Sequence, residues 1–142
     1  MPVHDLARSE VVTATKETAV SEIAQTMGEE TIGSVVITED NKPVGIITDR
    51  DLALRCVAAE GDTAEQTADN VMSENLETVN RTAGFYEAVE RMSDRAVRRL
   101  PVTDENDELV GILTSDDLTT LLADEQQGLS EVIEAQRSPY DE

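Results

Sequence analysis

Two short stretches carry residue types suited to holding a small anionic molecule: VGIITDRDL at 44–52 and VGILTSDDL at 110–118. Each places a glycine in an apolar block, then a threonine, then an aspartate three positions on. The sets are Gly45, Thr48, Asp51 and Gly111, Thr114, Asp117. If the apolar block is a strand and the acidic run opens a helix, free backbone N–H groups and the positive end of a helix dipole gather at the junction. That arrangement suits phosphate. The threonine hydroxyl can donate to a phosphate oxygen, and an ionised carboxylate can accept two hydrogen bonds from ribose hydroxyls. A glycine, lacking Cβ, lets a flat ring or a sugar approach the strand backbone. The same spacing is also that of a capping box, which contributes about 1 kcal/mol to stability. Capping and ligand binding do not exclude each other.

An anion held here needs local positive charge, because the chain is strongly negative: 31 Asp and Glu against 11 Lys and Arg, a net charge of −20. Arg50 lies inside the first junction, where the second has Asp116. Arg98 and Arg99 open the second-copy strand at the place of Gly33 and Ser34 in the first. Side chains alternate along a strand, so Arg99 and Pro101 should face away from Leu100 and Val102, toward a cleft. A solvated basic pair balancing nearby acids is the alternative for Arg98 and Arg99. Lys16 and Arg81 sit at equivalent places before the first helices. The two sites are therefore expected to be unequal.

The acids are spread along the whole chain, so the charge belongs to the surface. Such a surface opposes compaction at ordinary salt. Near molar salt the screening length falls to roughly 3 Å and most of that repulsion disappears. The composition resembles that of cytoplasmic proteins from salt-accumulating halophiles; an acidic mesophilic protein is the alternative. Attraction to nucleic acid or to anionic membranes is disfavoured, since both need a positive surface. The polar start MPVHDLARSE and the lack of a long apolar run lead to the expectation of a soluble, cytoplasmic protein. Cys56 is the single cysteine, four positions after Leu52 on an expected helix, and reads as a buried free thiol. His4 is the only histidine, so no histidine relay is available. With no glycine-rich phosphate loop and no spaced metal set, no enzyme is expected.

The elements that position the junctions are written twice. A shift of 65 superposes Thr13 on Thr78, Glu22 on Glu87 and Met27 on Met92; past the turn, a shift of 66 superposes Gly45 on Gly111 and Asp51 on Asp117. The extra residue falls between the polar turns TEDNKP and TDENDEL, where length changes cost little. Each copy reads as a short extended piece (10–13 or 76–79), a helix (19–27 or 83–92), a hairpin, and a second helix (49–59 or 115–123). The expected architecture is α+β, two β-α-β-β-α repeats. A three-stranded sheet with both helices on one face leaves the other face bare, so the copies should pack sheet to sheet about a pseudo-twofold axis. The divisions are 1–60 for the first repeat, 61–75 for a linker with a short helical turn at 67–72, 76–124 for the second repeat, and 125–142 for a C-terminal helix and fraying tail.

With the doubled junction and the LPV-like strand, the chain resembles a tandem pair of CBS domains, also called a Bateman module, over roughly residues 2–123. The resemblance implies a non-catalytic regulatory module that needs no cofactor. It would bind an adenine nucleotide or related adenosyl ligand (AMP, ADP, ATP, NAD or S-adenosylmethionine) in clefts between the repeats. It further implies a homodimer and a regulated partner protein, and assigns the matching Thr48, Thr114, Asp51 and Asp117 to ligand binding. Asp5-Leu6-Ala7 and Asn70-Val71-Met72 sit where that family often carries a leading short helix. The alternative is a ligand-free dimerising scaffold whose junctions are caps alone.

Overall fold

The computed structural model describes residues 2–57, 65–73 and 76–136. A 3-10 turn at Val3–Asp5 leads into β1 (Thr13–Ala14), α1 (Val20–Glu30), the hairpin of β2 (Ser34–Glu39) and β3 (Lys42–Thr48), and α2 (Asp49–Leu52). A short α3 (Ala68–Val71) precedes the second copy: β4 (Val79–Asn80), α4 (Phe85–Arg95), β5 (Arg99–Thr103), β6 (Leu109–Thr114) and α5 (Ser115–Gln136). Two three-stranded sheets result, ordered β1-β2-β3 and β4-β5-β6, with the first pair parallel and the second antiparallel in each. The doubling extends to irregularities. Both hairpins slip register at matching places, Ile37/Thr38 and Val102/Thr103. Both first helices end on a left-handed residue, Thr31 and Ala96.

Each repeat has an aliphatic core. Val20, Ile23 and Met27 of α1 pack on Val35, Ile37 and Ile47; Ala88 and Met92 of α4 pack on Leu100, Val102 and Leu113. Cys56 lies in the first core as a buried free thiol. Val36 points to the opposite side of β2 from Val35 and Ile37, yet is fully buried and belongs to neither core. Pro101, at the matching place in β5, is buried too. These are the residues of the sheet faces that the helices leave bare, and the repeats cover them for each other.

The leading segments are exchanged. Val3 is buried in the second repeat's core, with Leu6 and Ala7 packed against it, and Arg8 pairs through its backbone with Ile112 of β6. Ala68, Val71 and Met72 are buried in the first repeat's core, and Ser73 pairs with Ile46 of β3. Each segment therefore packs on the repeat that it does not lead in sequence.

Three elements differ from expectation. The paired strands begin later, at Thr13 and Val79, opposite Val36 and Val102, with the Val12 carbonyl accepting from Val36 N–H (3.1 Å) just before. The helix expected over 49–59 is α only to Leu52, then widens into a π turn at Ala53–Val57; residues 58–64 lie outside the described residues. The helix expected to end at Ala123 runs unbroken to Gln136. No proline interrupts 115–136, and Gln127 donates to Glu131 one turn on. The expected fraying of RSPYDE lies outside the described residues. Among those described, no helix is long and apolar enough to cross a membrane.

The glycines test this packing. A Cβ on Gly111 would stand 2.8 Å from the Arg8 carbonyl oxygen, whereas one on Gly28 would meet nothing within 4 Å. Gly111→Ala is expected to lower stability by about 1–3 kcal/mol. Gly28→Ala, in a helix, should raise it by about 0.5–1 kcal/mol. Urea denaturation midpoints measure both.

Candidate functional site

Both Thr-x-x-Asp sets lie where a β-strand turns into a helix, and both form reciprocal caps. Asp51 N–H donates to Thr48 Oγ1 (3.1 Å), and Thr48 N–H donates to Asp51 Oδ2 (2.9 Å). The second copy repeats this: Asp117 N–H to Thr114 Oγ1 at 3.2 Å, and Thr114 N–H to Asp117 Oδ2 at 3.1 Å. Each threonine oxygen accepts in its cap, which leaves its proton to be donated. Each aspartate spends one oxygen on the cap and leaves the other to a guanidinium. Asp117 Oδ1 lies 3.4 Å from Arg8 Nη2, and Asp51 Oδ1 lies 4.0 Å from Arg55 Nε. Their side chains are only 14% and 17% exposed, so those two oxygens have few competitors for hydrogen bonds.

The chain folds two clefts, and each takes walls from both repeats; of the junction residues Thr114 lines the smaller, while Thr48, Asp51, Asp117 and the two glycines line neither. One, of about 260 Å³, sets Ile32, Gly33 and Ser34 of the first repeat against Ile112, Thr114 and Asp116 of the second, with Arg8 at its edge. The other, of about 490 Å³, sets Ile46 and Arg55 of the first repeat against Leu76, Glu77 and Val97 of the second, with Met72 and Ser73 between. Ligand pockets commonly fall between roughly 300 and 1,000 Å³, so the clefts differ in what they can enclose. Their charged residues match in number, Arg8, Arg99, Glu10 and Asp116 in the smaller and Arg55, Arg99, Asp69 and Glu77 in the larger, but not in place. Glu77 enters the larger cleft already paired with Arg91 (3.0 Å) and Arg95 (3.2 Å), where the smaller has the apolar Val12 at the equivalent position. The clefts thus differ in size and in this one position, but not through the arginines expected to set them apart: Arg99 lines both, and Arg50 and Arg98 line neither.

The named basic residues separate. Arg99 lines both clefts, and its Nη2 would lie 3.0 Å from a Cβ on Gly33, which places it between the repeats. Arg98 and Arg50 are exposed and line neither cleft; the backbone N–H of Arg50 donates to Asp49. Lys16 and Arg81 pair with acids of the hairpin tips, Glu39 at 3.2 Å and Glu105 at 2.9 Å. Pro101 is buried between the sheets. The open approach expected over the two glycines is filled by the protein itself. Met72 covers Gly45 and the Arg8 backbone covers Gly111, so what each glycine admits is the exchanged segment.

Two cleft residues were not singled out from sequence. Arg55 follows Asp51 by four on a helix, a spacing that could have flagged it. Arg8 reaches Asp117 across 109 positions, and nothing local signals that. Elsewhere, burial pushes the Cys56 thiol pKa up, and the charge of Asp51 adds to the shift; the thiol stays protonated and is no nucleophile. His4 is exposed beside Asp5 and the Arg81 carbonyl. No group of three or more metal-ligating side chains converges among the described residues.

Paired β-α-β-β-α units meeting in two clefts define a tandem module, and the CBS domain model matches the sequence twice, at 3–57 and at 68–124. The chain belongs to the CBS domain family. It is 41% identical over 117 residues to protein MK0525 of Methanopyrus kandleri, covering 82% of this chain and 60% of that one; the chain thus spans less than two thirds of that relative. The CBS domain pair of protein MJ0100, solved with 5′-methylthioadenosine and S-adenosyl-L-methionine, is 27% identical with a TM-score of 0.77, over 86% of this chain and 99% of that one. The CBS domain protein PAE2072 from Pyrobaculum aerophilum, solved with AMP, is also 27% identical, with a TM-score of 0.75 over 82% and 89%.

The double use of the aspartates separates two substitutions. Asp51→Ala removes the cap acceptor and is expected to cost about 1 kcal/mol. Asp51→Asn keeps an oxygen for the Thr48 N–H and should cost less than half of that. Thermal unfolding of the two variants side by side measures the difference.

Proposed function

We propose that the chain is a non-catalytic regulatory module that takes an adenosyl ligand in its inter-repeat clefts and reports occupancy to a partner protein. One observation carries this reading. Each junction keeps a carboxylate oxygen outside its cap, turned to an arginine, Arg8 or Arg55, that itself lines a cleft with walls from both repeats. In this reading Asp51 and Asp117 accept the ribose hydroxyls, and Thr48 and Thr114 donate to the anionic group. Arg99, Arg8 and Arg55 supply the positive charge that a chain of net charge −20 otherwise lacks. Ile32 with Ile112, and Ile46 with Val97, are the apolar surfaces against which a purine would lie. Support comes from the two related CBS proteins solved with S-adenosyl-L-methionine, 5′-methylthioadenosine and AMP.

A ligand spanning such a cleft touches both repeats and an exchanged segment. It therefore biases their relative placement to the extent that it binds one placement better. Arg8 is the natural moving part: a sugar that takes Asp117 Oδ1 releases the guanidinium, and the leading turn behind it is packed on the other repeat. A cytoplasmic setting, a protein target and no direct role for nucleic acid or membrane complete the proposal. The filled space over Gly45 and Gly111 favours a second reading, in which the clefts only pack the exchanged segments and the protein is a scaffold.

Thermal unfolding in multimolar KCl with AMP, ADP, ATP, NAD and S-adenosylmethionine separates the two. A ligand at 100 times its dissociation constant should stabilise the fold by about 2.7 kcal/mol. Asp117→Asn or Asp51→Asn should abolish the gain while leaving the unliganded transition in place. A panel without any shift, or variants that respond as strongly as the parent, leaves only the scaffold.

A further inference from the structure

The second repeat holds a guanidinium at a place where the first repeat has a hole. Arg91 of α4 donates from Nη1 to the Glu77 carboxylate (3.0 Å) and to the Thr78 carbonyl (2.8 Å), and from Nη2 to Glu87 (3.3 Å). The shift of 65 sets Val12, Thr13, Glu22 and Thr26 of the first repeat at the places of Glu77, Thr78, Glu87 and Arg91. Two of the three acceptors are kept. Ala14 pairs with Ile37 as Val79 pairs with Val102, so the Thr13 carbonyl leaves β1 on the side where the Thr78 carbonyl leaves β4. Glu22 stands on α1 where Glu87 stands on α4. The arginine itself is gone: Thr26 is far shorter, and its hydroxyl turns back to donate to the Glu22 carbonyl (3.0 Å). The space is not closed up. A pocket of about 220 Å³ lies between β1 and α1, and all four of these first-repeat residues line it. Thr18 and Thr38 add hydroxyls to its wall.

We infer that this pocket binds an alkylguanidinium from outside the chain, in the place that Arg91 fills from within in the other repeat. The second repeat shows what the two kept acceptors fit: a carbonyl and a carboxylate met by two different nitrogens of one planar guanidinium. An ammonium is a point charge without that fork, and reaches both acceptors less well. Size agrees with the charge. The pocket is smaller than the roughly 300 Å³ at which ligand pockets commonly begin, which suits a side-chain head group and not a nucleoside. The Glu22 carboxylate on its wall disfavours an anion. Val12 in place of Glu77 withdraws one carboxylate, so the visitor is held by one ion pair fewer than Arg91 and exchanges with solvent. Both a free small guanidinium and an arginine side chain of a partner protein carry this chemistry. The pocket shares only Val12 with the smaller cleft and no residue with the larger, so the inference does not depend on the ligand reading.

Amide NMR of the full chain at about 0.1 M salt, titrated with methylguanidinium, tests the pocket. Saturable shifts confined to residues 13–18 and 22–26 are expected. Methylammonium should bind more weakly, and urea, which is planar but uncharged, should give no such response. Glu22→Gln, at an exposed position, should raise the dissociation constant about tenfold. Thr26→Arg rebuilds the arrangement of the second repeat and should abolish the response, with the rest of the spectrum unchanged. Two further titrants separate the sources. The peptide Gly-Arg-Gly binding as tightly as methylguanidinium assigns the pocket to a partner's arginine; a peptide about tenfold weaker or worse assigns it to a free guanidinium. No saturable shift at 13–18 and 22–26, an equal response to urea, or a Glu22→Gln variant that binds as tightly as the parent would overturn the inference.

Discussion

A three-stranded sheet with its helices on one side cannot stay in water on the other, and the rest of this protein follows from that constraint. Val36 and Pro101 mark the bare faces, and each is buried because a second copy of the unit is present. Pressing the sheets together also sets the ends of β3 and β6 beside the opposite repeat. The clefts are therefore a by-product of covering the sheets. Their walls belong to both repeats because the burial does.

At the junctions, one carboxylate serves both a helix cap and a guanidinium without competition. One oxygen of Asp51 or Asp117 satisfies a backbone donor that the start of the helix would leave orphaned. The other is turned toward a guanidinium. The cap fixes the side chain, so the second oxygen stays aimed at the guanidinium. The arginines have a comparable double part. Arg55 donates to the Val71 carbonyl at 2.9 Å, tying α3 to the π turn, and it stands at the edge of the larger cleft.

Much of this was legible in the residues, for physical reasons. Periodicity and turn chemistry are local, so the element order, the doubled hairpins and the aliphatic faces of α1 and α4 could be read directly. The junction spacing is local too, and both caps form as the threonine–aspartate interval requires. What stayed hidden is non-local. No pattern in 2–8 says that Val3 belongs in the second core, nor that Arg8 reaches Asp117. The two glycines show how a correct signal can carry a wrong cause. Their lack of Cβ does mark a close approach, but the approaching group is the chain's own leading segment. The length of α5 was underestimated because the residues past Asp124 were read as a separate C-terminal helix and tail, whereas the helix begun at Ser115 runs on through Gly128 to Gln136.

The crossing of the leading turns has a consequence for how such a protein can be divided. A polypeptide holding one unit would lack the turn that seals its own core and would carry a turn with nowhere to dock. It could satisfy both needs only by trading turns with a sister molecule. Joining two units in one chain makes that trade intramolecular, at an effective concentration no free monomer reaches. Cutting the backbone within 58–66 would therefore leave two fragments still hooked through each other's cores.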